Sequence, residues 1–470
     1  MGYDGSVLMT NDAAMSTGGT WYINDFAKNA PDVEVRYIKI PHAEGHEDAS
    51  GTFHAPAYAI LKGGAHEKET AMAINYLMNL ESRAEPRPGN RFPGITILTQ
   101  WRNAEMKKWK VALIGCGSIA DNTYLPRIGE IPEADLVAVC DIIPERAKNY
   151  AEKFHVPAWY TSIDELLEKC DFEILMNTTS IPAHHEINMK ALRAGKHLYS
   201  QKPVGLTVEE VTEQIEAAKA AGVKYTASPI HMLRDDIRFA KKLIADGCIG
   251  EIMKVHTNVC HGGPEYFQYR TADPTWFHRP GSGALYDMGV HGLTMTTGIL
   301  GPAKAVGCMA KISEPVRTVR TGTFDGMQIQ ADQLYDNYII TLDYGERTMA
   351  VVESGFCQKD SRAPQMEIFG TKGTITFVNN GNMNPLDSLE VYLDAPERGI
   401  RGWLKPMEWD VPASEMNFFQ CKVVQDLIHA IEEDRPVGLP PEHARHVVDI
   451  MCTIPEAIKT KSIVPLHTTF

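Results

Sequence analysis

Lys110-Val111-Ala112-Leu113-Ile114-Gly115-Cys116-Gly117-Ser118-Ile119-Ala120 is an apolar strand that runs straight into a G-x-G-x-x-A turn. At a strand-to-helix turn, glycines let the backbone approach a pyrophosphate, and the opening helix offers free N–H groups to it. A second apolar strand, Leu136 to Cys140, ends in Asp141, about 20 residues further on. A carboxylate there accepts hydrogen bonds from both hydroxyls of an adenosine ribose and repels a 2′-phosphate. The expected cofactor is therefore NAD rather than NADP, held by Gly115, Gly117, Ser118, Ile119 and Asp141. Arg146, on the helix that follows, is the nearby cation that would soften this preference, although a solvated helix charge is the simpler reading.

Outward from this stretch, strands and helices alternate. Pro144 takes the favoured first position of a helix with Ala147, Tyr150, Ala151 and Phe154 on one face. Phe172 to Met176 reads as a strand, His184 to Arg193 as a helix stopped by Gly195, and His197 to Ser200 as a strand. Thr207-x-x-Glu210 is a capping box for a helix with Val208, Val211, Ile215 and Ala218 inward, ended by Gly222, and Val223 to Ala227 is the last strand. This alternation predicts a doubly wound parallel sheet, an α/β Rossmann domain over 106–230.

Beyond residue 250 longer strands follow one another without helices between them: Ile252–Val259, Ala305–Ile312, Asn337–Leu342, Met349–Ser354 and Gln365–Phe369. Asp343-Tyr344-Gly345-Glu346 and Gly370-Thr371-Lys372-Gly373 supply hairpin turns, and helices return at Asn417–Ile431 and His443–Ile458. An α+β domain with an open, mainly antiparallel sheet is expected over 231–470. Its open face predicts a homodimer or homotetramer.

The 470 residues suffice for two or three domains at roughly 150 residues each. A net charge of −14 argues against nucleic acid or an anionic membrane as partner. Met1–Thr10 shows no basic region followed by an apolar one, so no secretory signal is read there. The nine cysteines are scattered without a CxxC, which fits reduced thiols in a cytoplasm better than a disulfide framework or zinc clip.

Residues 82–105, rich in proline, glycine and arginine at the start, read as a linker. Before it, Val33–Ile40 alternates like a strand and Glu67–Leu80 has a helical stripe of Ala71, Ile74, Leu77 and Met78. These elements are too few to close a core. In order and spacing, T-G-G-T-W-Y-I-N-D-F (17–26), F-H-A-P-A-Y-A-I (53–60) and the helix ending A-I-N-Y-L-M-N-L resemble the C-terminal lobe of sugar-binding proteins of ABC importers. Met106 opens M-K-K-W-K-V-A-L-I-G, and Trp101-Arg102 just before it can be encoded as a ribosome-binding-like sequence. The expectation is the tail of a sugar-binding protein gene, 1–81, joined to the next gene.

Two further motifs carry chemistry. Ser200-Gln201-Lys202-Pro203 ends a strand on the side where open α/β sheets bind ligands. Gly281-Ser282-Gly283-Ala284-Leu285-Tyr286-Asp287-Met288-Gly289-Val290-His291 lies in the second domain. Together with the glycine turn they resemble the Gfo/Idh/MocA oxidoreductases, from Met106 to the C-terminus. The usual E-K-P is Q-K-P here and the usual G-G-G is G-S-G. Thr179 and His184 match the family's T-P-x-x-x-H, with Ser180 in place of proline. The resemblance implies that Thr179, His184, Gln201 and Lys202 line the cofactor and that Lys202, Asp287 and His291 are catalytic.

The residues themselves agree with that chemistry. Oxidising a secondary alcohol needs a base for the hydroxyl proton while hydride leaves the same carbon. His291 has the pKa range for the base, Asp287 shares its side if the segment is helical, and Lys202 can polarise the C–O bond. Trp276 suits stacking on a sugar ring and Arg279 bonding to its hydroxyls, with His231 a further lining residue; core and surface roles are the plain alternatives. H-E-x-x-H is absent and Asp287/His291 lack a third ligand nearby, so no metal is expected. The leading function is an NAD-dependent dehydrogenase of a sugar, polyol or glycoside. Its rivals are a glycosidase or aldose–aldose oxidoreductase with retained NAD, and a non-catalytic NAD-linked sensor, which would have no need of the Lys/Asp/His set.

Overall fold

The computed structural model describes residues 17–18, 35–38, 57–61, 107–267, 273–320, 322–377, 389–404 and 419–470. The chain divides into two units, Met1–Lys107 and Lys108–Phe470. In the first, β1 (Thr17–Gly18), β2 (Val35–Ile38) and β3 (Ala57–Leu61) pair antiparallel in the order β1-β3-β2. The strand expected at Val33–Ile40 is there in part. The helix expected at Glu67–Leu80 and the linker 82–105 lie outside the described residues.

The second unit opens with six parallel strands: β4 (Trp109–Ile114), β5 (Ala134–Cys140), β6 (Ala158–Tyr160), β7 (Ile174–Asn177), β8 (His197–Ser200) and β9 (Tyr225–Ala227). Their order is β6-β5-β4-β7-β8-β9, the doubly wound order that reverses direction beside the first strand and leaves a crevice there. Four of the six residues of W-K-V-A-L-I are buried in an unbroken run after Lys110, as expected of a strand covered on both faces. The helices are α1 (Pro144–Lys153), α2 (Ile163–Lys169), α3 (His184–Arg193), α4 (Val208–Ala221) and α5 (Asp235–Ala245). Thr207 Oγ1 accepts from the Glu210 N–H at 3.2 Å, while the Glu210 carboxylate accepts from Leu206 N–H at 2.7 Å. The box therefore closes one residue earlier than the reciprocal form.

The second sheet has nine strands. They are β10 (Ile252–Cys260), β11 (Ala305–Lys311), β14 (Asn337–Asp343), β15 (Met349–Gly355), β16 (Met366–Gly370), β17 (Gly373–Phe377), β18 (Leu389–Ala395), β19 (Ile400–Leu404) and β20 (Val464–Pro465). A separate small hairpin is formed by β12 (Val316–Thr318) and β13 (Gln328–Gln330). The large sheet is antiparallel except where β10 runs parallel to β15, so it is mixed. The sheet is mainly antiparallel, as expected, but the expectation of strands without intervening helices needs correcting. A helix, α6 (Val290–Leu300), stands between β10 and β11 and lies across β10 and β15. It packs closely because Gly292 faces the sheet: a Cβ there would come within 2.7 Å of Val352 and 2.8 Å of Val259.

Two C-terminal helices, α7 (Lys422–Glu432) and α8 (Pro441–Thr460), finish the fold. Val423, Val424, Leu427 and Ile428 of α7 share one apolar cluster with Val111 and Leu113 of β4. The chain thus returns from the second sheet to cover the first.

Candidate active site

The glycine turn sits at the C-terminal end of β4, where the strand order reverses. Gly115 has φ +97°, and a Cβ on it would lie 2.6 Å from the Thr179 amide nitrogen, so this position admits only glycine. Thr178, after β7, closes the same contact through its hydroxyl, 2.8 Å from the Gly115 carbonyl oxygen. A Cβ on Gly117 would meet nothing within 4 Å, so that side of the turn is open for a pyrophosphate above the first amides of the Ser118–Ile119 turn.

Asp141 is buried at the end of β5 and accepts from the backbone N–H of Cys116 and of Ile143, each at 2.9 Å. Its carboxylate is held by the glycine turn itself, with lone pairs left for ribose hydroxyls. Arg146 lies 3.6 Å from it with its side chain 45% exposed, a solvated helix charge that also pairs with the carboxylate. This donor and acceptor set fits a dinucleotide. Cys116 is buried beneath the turn, and burial pushes its thiol up to about 12, which leaves it unreactive.

Lys202 follows β8, and its Nζ donates to the Asp287 carbonyl oxygen at 2.7 Å and to Asp287 Oδ1 at 3.0 Å. As an ammonium it has three donors, so one remains for a ligand. Gln201, at 9 % exposure, donates from Nε2 to the hydroxyls of Tyr124 (2.6 Å) and Tyr199 (3.1 Å) and accepts from Lys202 N–H at 3.1 Å. The glutamine of Q-K-P is thus tied to a tyrosine pair. His184 is buried with Nδ1 2.7 Å from the Pro203 carbonyl and Nε2 3.0 Å from that of Thr179. Burial holds its imidazole below its ordinary pKa. The polar atoms of His184 and Gln201, expected against the cofactor, are engaged within the protein; they fix where Thr179 and Lys202 stand.

The second domain brings Asp287 and His291 to Lys202. Asp287 lies in a single π-type turn, Leu285–Gly289, and His291 in the first turn of α6. The two diverge: Asp287 meets Lys202, whereas His291 Nδ1 lies 2.8 Å from His231 Nε2. Burial, then the nearby Lys202 and His261, hold the His291 imidazole well below its usual range. His231 is depressed likewise, by burial first and then by His291, Arg234 and Lys202. Ser282 Oγ, the serine of G-S-G, is buried with no hydrogen-bond partner among the described residues.

Two residues absent from the sequence reading join this site. His261 follows β10, and its Nδ1 accepts from Gly263 N–H at 2.9 Å, which turns Nε2 toward Asp287 Oδ2, 4.0 Å away. Arg234, three residues beyond His231, is fully buried behind the histidine pair. The C-H-G-G run at 260–263 was the available signal for His261; nothing local marks Arg234.

Trp276 and Arg279 are not joined to this group. Phe277 takes the buried position of the Pro274–His278 turn, and Trp276 stays 45 % exposed, tilted against Phe277 at a centroid distance of 3.8 Å. Among the described residues, no hydrogen bond or ring contact links either of them to Lys202, Asp287 or His291. No group of three His, Cys, Asp or Glu among the described residues is arranged to hold a metal ion. No helix among the described residues is long and apolar enough to cross a membrane.

A doubly wound sheet with a glycine turn after its first strand, a buried acid at the end of its second and a Lys/Asp/His cluster at the same end of the sheet defines a dinucleotide-dependent oxidoreductase. Comparison with known proteins agrees. Residues 109–228 match the oxidoreductase family with an NAD-binding Rossmann fold, and residues 237–376 match the GFO/IDH/MocA C-terminal domain. The chain belongs to the Gfo/Idh/MocA family and is an NAD-dependent oxidoreductase acting on CH–OH groups. It is 26% identical to 1,5-anhydro-D-fructose reductase of Ensifer adhaerens over 60% of this chain and 79% of that one. It is 25% identical to levoglucosan dehydrogenase of Pseudarthrobacter phenanthrenivorans over 64% of this chain and 81% of that one. A levoglucosan dehydrogenase solved with NADH and levoglucosan has the same fold, with a TM-score of 0.64 at 21% identity over 77% of this chain and all of that one.

Proposed function

We propose that the chain transfers hydride between a secondary hydroxyl of a sugar, polyol or glycoside and the nicotinamide, with Lys202 and His291 at the reacting oxygen. The observation that carries this reading is the Lys202–Asp287 contact. It sets an N–H donor after β8, at the same C-terminal end of the sheet as the glycine turn after β4, the end where open α/β sheets bind ligands. Bound NAD supplies the hydride acceptor. Gly115, Gly117, Ser118, Ile119 and Asp141 hold it, Arg146 and Thr179 border it, and His184 and Gln201 fix the loops. Relatives that act on anhydro sugars support a carbohydrate substrate. Trp276 and Arg279 offer a ring and a cation to such a substrate from the exposed turn, and Ser282 Oγ and His231 line it from below.

The outer face of the second sheet exposes Met309 (65 %), Ile339 (49 %) and Met349 (58 %), which supports a homodimer or homotetramer built on it. Scattered free cysteines support a cytoplasmic setting. Residues 1–81 read best as a fragment of a sugar-binding lobe, supported by their order and spacing alone. The test of the reaction is a screen of anhydro sugars, inositols and glycosides with NAD⁺. Stoichiometric NADH is the expected result; hydrolysis with cofactor retained would replace the dehydrogenase by a glycosidase.

A further inference from the structure

The turn that carries Trp276 and Arg279 is fastened to a buried carboxylate. Glu265 stands two residues beyond Gly263, whose missing Cβ leaves room for it: a Cβ there would lie 2.3 Å from Glu265 Oε1. Oε1 accepts from Arg317 Nη1 at 2.7 Å, and Oε2 lies 3.2 Å from His278 Nε2. A carboxylate only accepts, so His278 Nε2 carries the proton and donates it. All three side chains are buried, Arg317 completely. Arg317 also donates to the Phe356 carbonyl oxygen at 3.0 Å and to Asp336 Oδ2 at 2.8 Å, which ties Glu265 to β12 and to the residue after β15. Burial by itself would raise the Glu265 carboxyl, but His278 and Arg317 outweigh it and hold it below the usual carboxylate range.

The same carboxylate joins two segments. The first runs from His261 to Tyr266. His261 Nδ1 accepts from Gly263 N–H, and its ring is stacked on Phe356 with centroids 5.1 Å apart at 16°, so Nε2 is turned toward Asp287. The second runs from Asp273 to Gly283 and is shaped by local bonds. Asp273 Oδ1 accepts from Thr275 N–H at 2.8 Å, Arg279 N–H donates to the Trp276 carbonyl and Ser282 N–H to that of Arg279. Those bonds give the segment its form; Phe277, by packing, and His278, by its bond to Glu265, fix its place. At the far end Gly281 comes against the loop after β7, where a Cβ on it would lie 3.9 Å from Pro182 Cγ. The segment therefore spans from Glu265 to the loop that carries Thr179.

We infer that Glu265 is a positioning residue: with Arg317 it anchors His278, and through His278 it sets where Trp276 and Arg279 stand, and so how tightly the sugar is held. The inference rests on the carbohydrate reading above. Cutting the anchor at His278 leaves the Lys202–Asp287 and His231–His291 contacts intact, because these are made from β8, the Leu285–Gly289 turn, α6 and His231 itself. The cost therefore falls on sugar binding and not on the chemical step. Removing Glu265 or Arg317 outright would strand a buried charge, so His278 is the cleaner place to cut.

The test is a pair of substitutions in the full chain. His278→Leu fills the buried space without a donor, whereas His278→Gln offers an N–H near the place of Nε2. On the best substrate of the carbohydrate screen, His278→Leu should raise KM about tenfold or more, with kcat within about threefold and NAD⁺ affinity within about twofold of wild type. His278→Gln should bring KM back to within about threefold of wild type. Amide hydrogen exchange over Asp273–Gly283 should quicken in the leucine variant and not in the glutamine one, while Gly115–Ile119 exchanges as in wild type. A leucine variant with wild-type KM overturns the inference, and so does one that loses kcat at unchanged KM, as a general loss of folded protein would. A glutamine variant as weak as the leucine one overturns it too, since volume and not the hydrogen bond would then be at work. Glu265→Gln keeps an oxygen for Arg317 and sets an amide N–H against that of His278; a wild-type KM there overturns the inference even if His278→Leu does not fold. A wild type inactive on every carbohydrate would bring down the proposed reaction, and the exchange rates would still decide whether His278 holds the segment.

Discussion

Lys202 Nζ and Asp287 are joined twice, through the aspartate's carbonyl oxygen at 2.7 Å and its carboxylate at 3.0 Å, across 85 residues of sequence. The contact ties the end of the last-but-one parallel strand to the π-type turn that leads into α6. Both side chains are largely buried, at 16% and 14% exposure, so solvent screens the pair only weakly. Replacing Lys202 by methionine keeps the stem and removes the donor. We expect kcat to fall by about 10² or more while NAD⁺ affinity stays within about twofold. Steady-state kinetics and a cofactor titration check this; near-normal turnover would remove Lys202 from the chemistry.

Asp141→Ala should relax the preference for NAD. The substitution removes the charge that repels a 2′-phosphate and releases Arg146, now 3.6 Å from the carboxylate, to meet one. The ratio of kcat/KM for NAD⁺ to that for NADP⁺ should fall about tenfold or more. A wild-type enzyme that favours NADP⁺ would contradict the role given to this residue.

His443 makes stability depend on pH. Burial pushes its imidazole down from 6.5 to about 3, and its Nε2 lies 2.7 Å from Thr297 Oγ1. The unfolded chain takes up a proton that the folded chain refuses. The contribution is therefore fully present above pH 6.5 and is lost as the pH falls toward 3. Each such histidine adds a slope of about 1.4 kcal/mol per pH unit in that window. Denaturant melts of wild type and His443→Gln should diverge there, the variant losing stability less steeply. Equal slopes would mean that the ring is charged in the native state.

A chain beginning at Met106 should be soluble, bind NAD⁺ and match the full chain's kcat/KM within about twofold. The unit Lys108–Phe470 contains both sheets and both apolar clusters, and the residues assigned to catalysis all lie in it. Loss of activity in the shortened protein would show that residues 1–105 take part.

The parallel half of the fold was legible because its signals are local. A glycine turn with an acid behind it, Pro144 at a helix start and the Thr207 cap each sit within a few residues of what they control. α6 was not, because it is buried all round: Thr294, Thr296 and Thr297 are inside with Leu293 and Met295, so no polar face marks a period. The strands β17 to β19 were missed as well; β19 is largely exposed, so no apolar alternation marks it. At the site, Lys202, Asp287 and His291 stood in recognisable motifs, but their partners are tertiary. Gln201 finds Tyr124 and Arg234 finds Gln365 only through the fold. A spacing of four suggested that Asp287 and His291 face one way; the π-type turn between them sends one to Lys202 and the other to His231.

The central claim is that this site oxidises a carbohydrate hydroxyl with NAD⁺. The most direct measurement is the amount of NADH released per mole of sugar consumed, taken with the full chain on the best substrate of an anhydro-sugar, inositol and glycoside panel. One NADH per ketone formed is the predicted result. Turnover of sugar without net NADH, or no turnover across the panel with NAD⁺ bound, would contradict it.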